Sequence, residues 1–121
     1  MKGFLYIVTS VPGEKLASHI SERLIGDGLA MCTQVYGPVE SVFRWKGKTE
    51  RRREWICSAK ARASRYPEIE DAIRSMHPDK VPEIISFKVE SGFPKYMEWL
   101  SSATGAGGEM DDIHHRRNVK K

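Results

Sequence analysis

The most informative part of this chain is the segment LAMCTQVYGPVESVFRW (residues 29–45), which is followed by KGK (46–48) and TERRREWICSAKA (49–61). Both arms contain β-branched and aromatic residues, and the short glycine-containing segment between them predicts a hairpin turn. Gly37-Pro38 interrupts the first arm, where a proline cannot donate a ladder hydrogen bond and therefore predicts a bulge or a sheet edge. The arms are about 17 and about 13 residues long, against roughly 5–6 for an average strand. Arms this long overhang a small domain and need another chain to cover their edges, so the pattern predicts an oligomer built by strand pairing.

The sequence on either side of this hairpin alternates between strand and helix periodicity. We predict a strand over 4–9, a helix from Glu14 to the glycines at 26 and 28, a helix over 64–76, a strand over 83–89 and a short helix over 93–100. The order β-α-β-β-α-β-α predicts an α+β fold, a ferredoxin-like βαββαβ sandwich with an extended central hairpin and a short C-terminal helix. We assign this domain to residues 1–103 and expect residues 104–121, which have no apolar periodicity, to form a disordered tail.

The composition fits one globular domain in the cytoplasm. The chain has 121 residues, of which 40% are hydrophobic and 30% charged, as in ordinary soluble proteins. Its apolar runs are too short to span a bilayer and no secretion signal precedes the first strand, so we expect no membrane association. Cys32 and Cys57 are the only thiols, and pairing symmetric about Gly47 places Cys32 opposite residue 62, which argues against a disulfide between them. The net charge of +4 is too modest to imply nucleic acid.

Four motifs resemble those of the CutA divalent-cation-tolerance proteins. They are GLAMC (28–32), SVFRWKGK (41–48), HPDKVPEI (77–84) and YMEWL (96–100), in an order and at spacings that match the family across residues 3–101. The resemblance implies a homotrimer in which long hairpins interlock around a threefold axis. It also implies tolerance of, or response to, divalent metal ions, with copper binding and no settled enzymatic activity, so we expect a protein that is not an enzyme.

This chain departs from the family pattern at several positions. Thr9 stands where many members carry a cysteine, Asp79 stands where a tyrosine usually follows His-Pro, and Gln34 replaces an expected asparagine. The return arm of the hairpin, often acidic in the family, reads ERRRE over residues 50–54. A metal site that uses the first-strand cysteine is therefore excluded here.

His77, Glu83 and Cys32 are the candidate metal ligands, and weakly held Cu(II) or another divalent metal is the candidate cofactor. Imidazole with carboxylate suits Cu(II) or zinc, whereas a thiolate favours Cu(I) or zinc. His77 and Glu83 can converge only through the loop between them, with Glu50 or Glu54 of a neighbouring subunit as further donors. The alternative interpretation is structural: His77 ends a helix, Glu83 accepts a hydrogen bond, and Cys32 packs among apolar residues.

The remaining motif residues are interpreted as structural. We assign Trp45, Gly47, Tyr96 and Trp99 to the trimer interface or to packing, with ligand stacking by a tryptophan as the alternative. The run over 51–53 could bind phosphates, but alternation along a strand puts only Arg51 and Arg53 on one side, flanked by glutamates. We therefore interpret it as a solvated or salt-bridged edge and regard nucleic acid as an unlikely partner. The tail pair His114-His115 is treated as incidental.

Two other functions are known for the same fold class and are alternatives to metal tolerance. Residues 37–44 look like the phosphate loop of acylphosphatases, but Ser41 stands in place of the second glycine and the segment lies within a hairpin arm, so backbone N–H groups cannot converge on phosphate. A PII-type trimer with a small ligand in its intersubunit clefts is the alternative function that stays open. Fold analogy alone does not carry function, and this chain has no glycine-rich phosphate loop after its strands.

Overall fold

The computed structural model describes residues 3–103 as a four-stranded sheet with three α-helices. The predicted tail, 104–121, lies outside the described residues. The elements in chain order are β1 (Phe4–Val11), α1 (Glu14–Gly26), β2 (Cys32–Trp45), β3 (Lys48–Arg62), a 3₁₀ turn (Ala63–Arg65), α2 (Tyr66–Met76), β4 (Ile84–Lys88) and α3 (Pro94–Ser102). Every predicted element is present. Within the described residues, no helix is both long and apolar enough to cross a membrane.

The sheet has the strand order β2-β3-β1-β4, with antiparallel pairing throughout. The order and the helix placement are those of the predicted ferredoxin-like α+β fold. α1 and α2 contact each other, and α1 packs on β1, β2 and β3. Because successive strand residues point to opposite faces, β1 directs Ile7 and Val11 into the core beneath the helices.

The core is a continuous cluster of buried residues from the sheet and both long helices. Its largest members are Ile7, Ile20, Leu24, Ile69 and Ile73, all essentially without solvent contact. Burying each such side chain contributes about 1.5–3 kcal/mol. β3 contributes small residues to this layer, including Ala59 and Ala61, which lets the helices approach the sheet closely.

The hairpin turn consists of two residues and not the three predicted. Trp45 pairs with Lys48, and both residues between them have positive φ, 49° for Lys46 and 78° for Gly47. This is the geometry of a tight hairpin whose twist matches that of the strands. A positive φ strains most side chains, which explains the glycine at 47.

A bulge interrupts β2 where Gly37-Pro38 predicted one. Tyr36 pairs with Ile56 and Val39 pairs with Glu54, so two residues of β2 lie opposite Trp55 alone. A Cβ at Gly37 would lie 2.7 Å from Cδ1 of Trp55, which excludes any larger residue without a local shift. The bulge and the shorter turn each move the register by one residue.

The predicted position of Cys32 opposite residue 62 is consequently wrong, because Cys32 pairs with Lys60. Cys57 instead lies between Val35 of β2 and Thr9 of β1. Both cysteines are free thiols in this structure.

The hairpin extends beyond the rest of the sheet. The ladder between β1 and β3 ends at the pair Val11–Trp55, whereas β3 begins at Lys48. Among the described strands, the hairpin end of β3 is therefore paired with β2 alone. α3 contacts β3 at its other end, where the Lys60 ammonium lies 5.4 Å from the centre of the Tyr96 ring and Arg62 donates to the Ser101 carbonyl.

Candidate functional site

A cleft of about 840 Å³ lies between the overhanging hairpin and the loop that joins α2 to β4. The hairpin lines it with Phe43, Trp45 and Arg52, and the loop lines it with Asp79 and Glu83. Ser10, near the end of β1, forms part of its wall. Glu83 lines the cleft, and His77 lies next to it through its contacts with Ser10 and Asp79, so we treat the cleft as the candidate site.

His77 occupies the C-cap position of α2, where its N–H donates to the Ile73 carbonyl at 2.9 Å. Its ring is buried and lies between two backbone groups. Nε2 is 2.7 Å from the Ser10 carbonyl oxygen, and Nδ1 is 3.1 Å from the Asp79 amide nitrogen. Because a carbonyl only accepts and an amide N–H only donates, Nε2 carries the proton and Nδ1 accepts. The imidazole is therefore neutral, with both nitrogens engaged.

Glu83 lies beside the same residue of β1. Its carboxylate accepts a hydrogen bond from the Ser10 hydroxyl at 3.1 Å. Ser10 thus contacts His77 through its carbonyl and Glu83 through its side chain, and the structure brings these two predicted residues together. The loop between them is fixed to β1 at both ends.

Cys32, the third predicted ligand, does not join them. It lies on β2 opposite Lys60, whereas Ser10 lies opposite Ile56 further along β3. Among residues 3–103 there is no group of three or more histidine, cysteine or acidic side chains placed to hold a metal. Glu50 and Glu54, the further donors expected from a neighbouring subunit, both line this cleft within one protomer.

The most strongly paired charges in the cleft were not predicted from the sequence. Arg52 Nη2 lies 2.7 Å from Oε2 of Glu54 and 2.6 Å from Oδ2 of Asp79. Nε and Nη1 add longer hydrogen bonds to the same two carboxylates, at 3.1 and 3.4 Å. The Phe43 ring lies 5.9 Å from the guanidinium carbon. The hydrogen bond to Asp79 raises the pKa of Arg52 above its ordinary value, against an opposing effect of burial.

Part of this cluster, the pair Arg52 and Glu54, can be predicted from the sequence. Residues 52 and 54 share one face of a strand by alternation, so an Arg–Glu pair at that spacing could have been proposed. Asp79 is 27 positions away from Arg52 along the chain, and only the folded loop brings it to the hairpin. Asp79 stands in place of the family's usual tyrosine, but that departure does not identify its partner.

The other two arginines of the run already have partners within the chain. Arg51 pairs with Glu40 at 3.0 Å, and the guanidinium of Arg53 lies 5.6 Å from the Trp55 ring. This arrangement favours the salt-bridged edge over a phosphate-binding surface.

The residues assigned to interface or structural roles lie at two separate places. Trp45 is half-exposed at the end of the hairpin, next to Gly47 in the turn. Tyr96 and Trp99 lie together on α3, with ring centres 5.6 Å apart. Neither aromatic residue of α3 lines the cleft.

Comparison with known proteins gives a consistent result. The family model described as "CutA1 divalent ion tolerance protein" matches residues 5–103. The mouse protein CutA is 34% identical over 93 residues, which cover 77% of this chain and 52% of the mouse protein. The chain therefore spans about half the length of that relative.

Solved structures agree with the sequence comparison. CutA1 from the psychrotrophic bacterium Shewanella sp. SIB1 superposes with a TM-score of 0.81 at 31% identity, covering 88% of this chain and 100% of that one. CutA from Archaeoglobus fulgidus, described as a periplasmic divalent cation tolerance protein, gives a TM-score of 0.79 at 28% identity and covers 84% of this chain and 98% of that one.

Proposed function

Because this chain belongs to the CutA1 divalent ion tolerance family, we propose that it works as a homotrimer in the response to divalent cations and not as an enzyme. The family match gives no support to the PII-type alternative. The observation that carries the proposal is the amount of apolar surface left open on the hairpin and on the sheet face opposite α1 and α2.

That surface is extensive for a chain of this size. Phe87 is 55% exposed, although it lies in a strand. Large apolar side chains are similarly exposed along the hairpin and the outer strands, namely Tyr36, Val42, Phe43, Trp45 and Ile85. Contiguous exposed apolar residues mark association surfaces. The long hairpin favours other copies of the same chain as the partner, because each copy has a strand edge that is open to pairing.

The open strand edges support the same assembly. β2 and β4 form the two edges of the sheet, and the hairpin end of β3 has no β1 neighbour. Unpaired N–H and C=O groups along such edges promote pairing with another chain. Strand pairing between subunits would satisfy these N–H and C=O groups, and packing of the same subunits would bury the apolar face.

The arrangement around Ser10 supports a non-enzymatic role. A serine, a histidine and a glutamate meet here, yet the Ser10 hydroxyl donates to Glu83 and the imidazole donates to the Ser10 carbonyl. An activated serine needs its hydroxyl bonded to the imidazole acting as base. The hydroxyl is also buried. The three residues therefore brace the loop and do not form a nucleophilic relay.

Within one protomer, the described residues do not fit a resident metal. Ligation by His77 would use a nitrogen that already holds a backbone hydrogen bond. Glu83 adds one carboxylate, and the described residues place no third histidine, cysteine or acidic ligand beside these two. Copper at His77 and Glu83 stays a prediction. It is tested by titrating Cu(II) into the parent and His77→Ala, with His114 and His115 replaced in both. A tenfold loss of affinity supports ligation, and equal affinity refutes it.

The trimer is tested by light scattering on the eluting protein. We expect about three times 13.8 kDa for the parent, without added metal. Phe87→Glu should lower that mass, because it places a charge in the proposed interface. His19→Glu introduces the same charge at an exposed position of α1 and should leave the mass unchanged. A parent protein that elutes as a monomer at micromolar concentration would refute the proposal. A cytoplasmic location is also a prediction, tested by cell fractionation.

A further inference from the structure

The cleft already contains a cation, which is the side chain of Arg52. Its guanidinium lies between two carboxylates from different elements, Glu54 of the hairpin and Asp79 of the α2–β4 loop. A single nitrogen, Nη2, approaches both at 2.7 and 2.6 Å. The two carboxylate oxygens therefore lie on either side of the same nitrogen atom.

Glu54 is the deeper of the two acids. It is 3% exposed, and the hydrogen bonds to its Oε2 come from Nε and Nη2 of Arg52. A buried carboxylate that loses its counter-charge must either take up a proton or find another cation. Arg52 therefore determines the charge state of this part of the cleft.

We propose that Arg52 is the resident cation of the cleft: it pairs with both Glu54 and Asp79 from within the chain and thereby keeps divalent cations from binding there. Carboxylate oxygens are the ligands that hard divalent ions prefer, so the class of ion that Arg52 excludes is the hard divalent cations, with Mn²⁺ as the example. Removing the guanidinium creates a site for such an ion, with Glu54 and Asp79 as its protein ligands and water completing the coordination.

The pairing of Arg52 with Glu54 and Asp79 lies within one protomer and does not depend on the trimer. A role in divalent-cation tolerance therefore does not use the Glu54–Asp79 pair of the parent chain as a metal site.

Arg51 provides a matched control. It is the neighbouring arginine of the same strand and pairs with Glu40 at 3.0 Å, but both side chains of that pair are 65% exposed. An exposed pair contributes little, and its loss leaves a solvated carboxylate. Arg51→Met therefore removes the same charge from the protein without uncovering a buried acid.

The experiment is a Mn²⁺ titration of the full chain, followed by the loss of the free-ion signal in electron paramagnetic resonance. We expect Arg52→Met to bind Mn²⁺ at least tenfold more tightly than the parent, and Arg51→Met to match the parent. Adding Glu54→Gln to Arg52→Met should abolish the gain. A folded Arg52→Met protein whose Mn²⁺ affinity is within twofold of the parent's would overturn the proposal, since Glu54 would then be neutralised by a proton.

The parent protein gives a second test that does not require Arg52→Met to fold. If Arg52 fills the site, Glu54→Gln in the parent should leave the Mn²⁺ affinity unchanged, because no ion binds there. A loss of affinity in that variant would show that divalent cations already enter beside Arg52 and would overturn the proposal. Mn²⁺-dependent recovery of the melting transition of Arg52→Met would support it.

Discussion

Replacing His77 by alanine should destabilise the protein by about 2–4 kcal/mol. The substitution removes two hydrogen bonds, from Nε2 to the Ser10 carbonyl and from the Asp79 amide to Nδ1. Each is worth about 1 kcal/mol net, and a buried group left without a partner costs about 1–3 kcal/mol. Two such groups together cost about 2–6 kcal/mol, and we take the lower half of that range because water can reach the Asp79 amide at the edge of the cleft.

Two conservative variants separate the two hydrogen bonds. His77→Asn keeps an acceptor near the position of Nδ1 and should recover part of the loss through Asp79. His77→Gln places an amide donor near the position of Nε2 and should recover part of it through Ser10. Each variant should therefore lie between the parent and His77→Ala.

The assay is urea denaturation followed by circular dichroism, at one fixed protein concentration because the stability of any oligomer depends on its concentration. His19→Ala is the control, since His19 is exposed on α1 and its loss should change the free energy of unfolding by less than about 0.5 kcal/mol. If His77→Ala falls within the same limit, the imidazole does not brace the loop, and the structural role assigned to it is wrong.

Two further predictions concern packing and thiol chemistry. Gly37→Ala should lower the free energy of unfolding by about 1–3 kcal/mol, because its Cβ would meet the Trp55 ring at 2.7 Å; Gly26→Ala, with open space around it, should show no such loss in a thermal melt. Burial raises the pKa of the Cys57 thiol to about 11, against a smaller opposing effect of a hydrogen bond with Ser21, so a thiol reagent at pH 8 should modify Cys32 and leave Cys57 intact in the folded protein. Because the folded-state pKa of Cys57 lies above the ordinary value of 9.0, its contribution to stability is complete below about pH 9 and is lost as the pH rises toward about 11. A Cys57→Ser variant should lose part of this alkaline decline, and an unchanged decline would refute the assignment.

The positions of the strands and helices followed from short-range patterns. The predicted helix from Glu14 and the observed α1 (Glu14–Gly26) begin at the same residue, because Pro12-Gly13 ends the strand before it. The predicted second helix, 64–76, differs from α2 (Tyr66–Met76) only in its first turn, which is 3₁₀. Apolar periodicity and turn residues act within a few positions, so the sequence reveals them without knowledge of the fold.

The structural alternative for His77 was also accessible from the sequence, but its partners were not. Its place before a proline predicted a residue that ends a helix, and α2 does end there. That the ring would be neutral, with Ser10 holding one nitrogen and Asp79 the other, depends on β1 and the loop meeting across the sheet. A pattern along the chain cannot specify this, because Ser10 and His77 are separated by 67 positions.

The sequence alone predicts the order of the elements, the long hairpin and an interruption, either a bulge or an edge, at Gly37-Pro38. Each of these depends on side-chain periodicity or backbone restriction within a short stretch. The folded structure is needed to see the register that places Cys32 opposite Lys60. It is also needed to see the contacts that fill the cleft with Arg52, Glu54 and Asp79. The register of two strands depends on the length of their turn and on every bulge between them, so one misjudged residue shifts all later pairs. An ion pair forms only where the folded backbone brings distant charges within hydrogen-bonding distance.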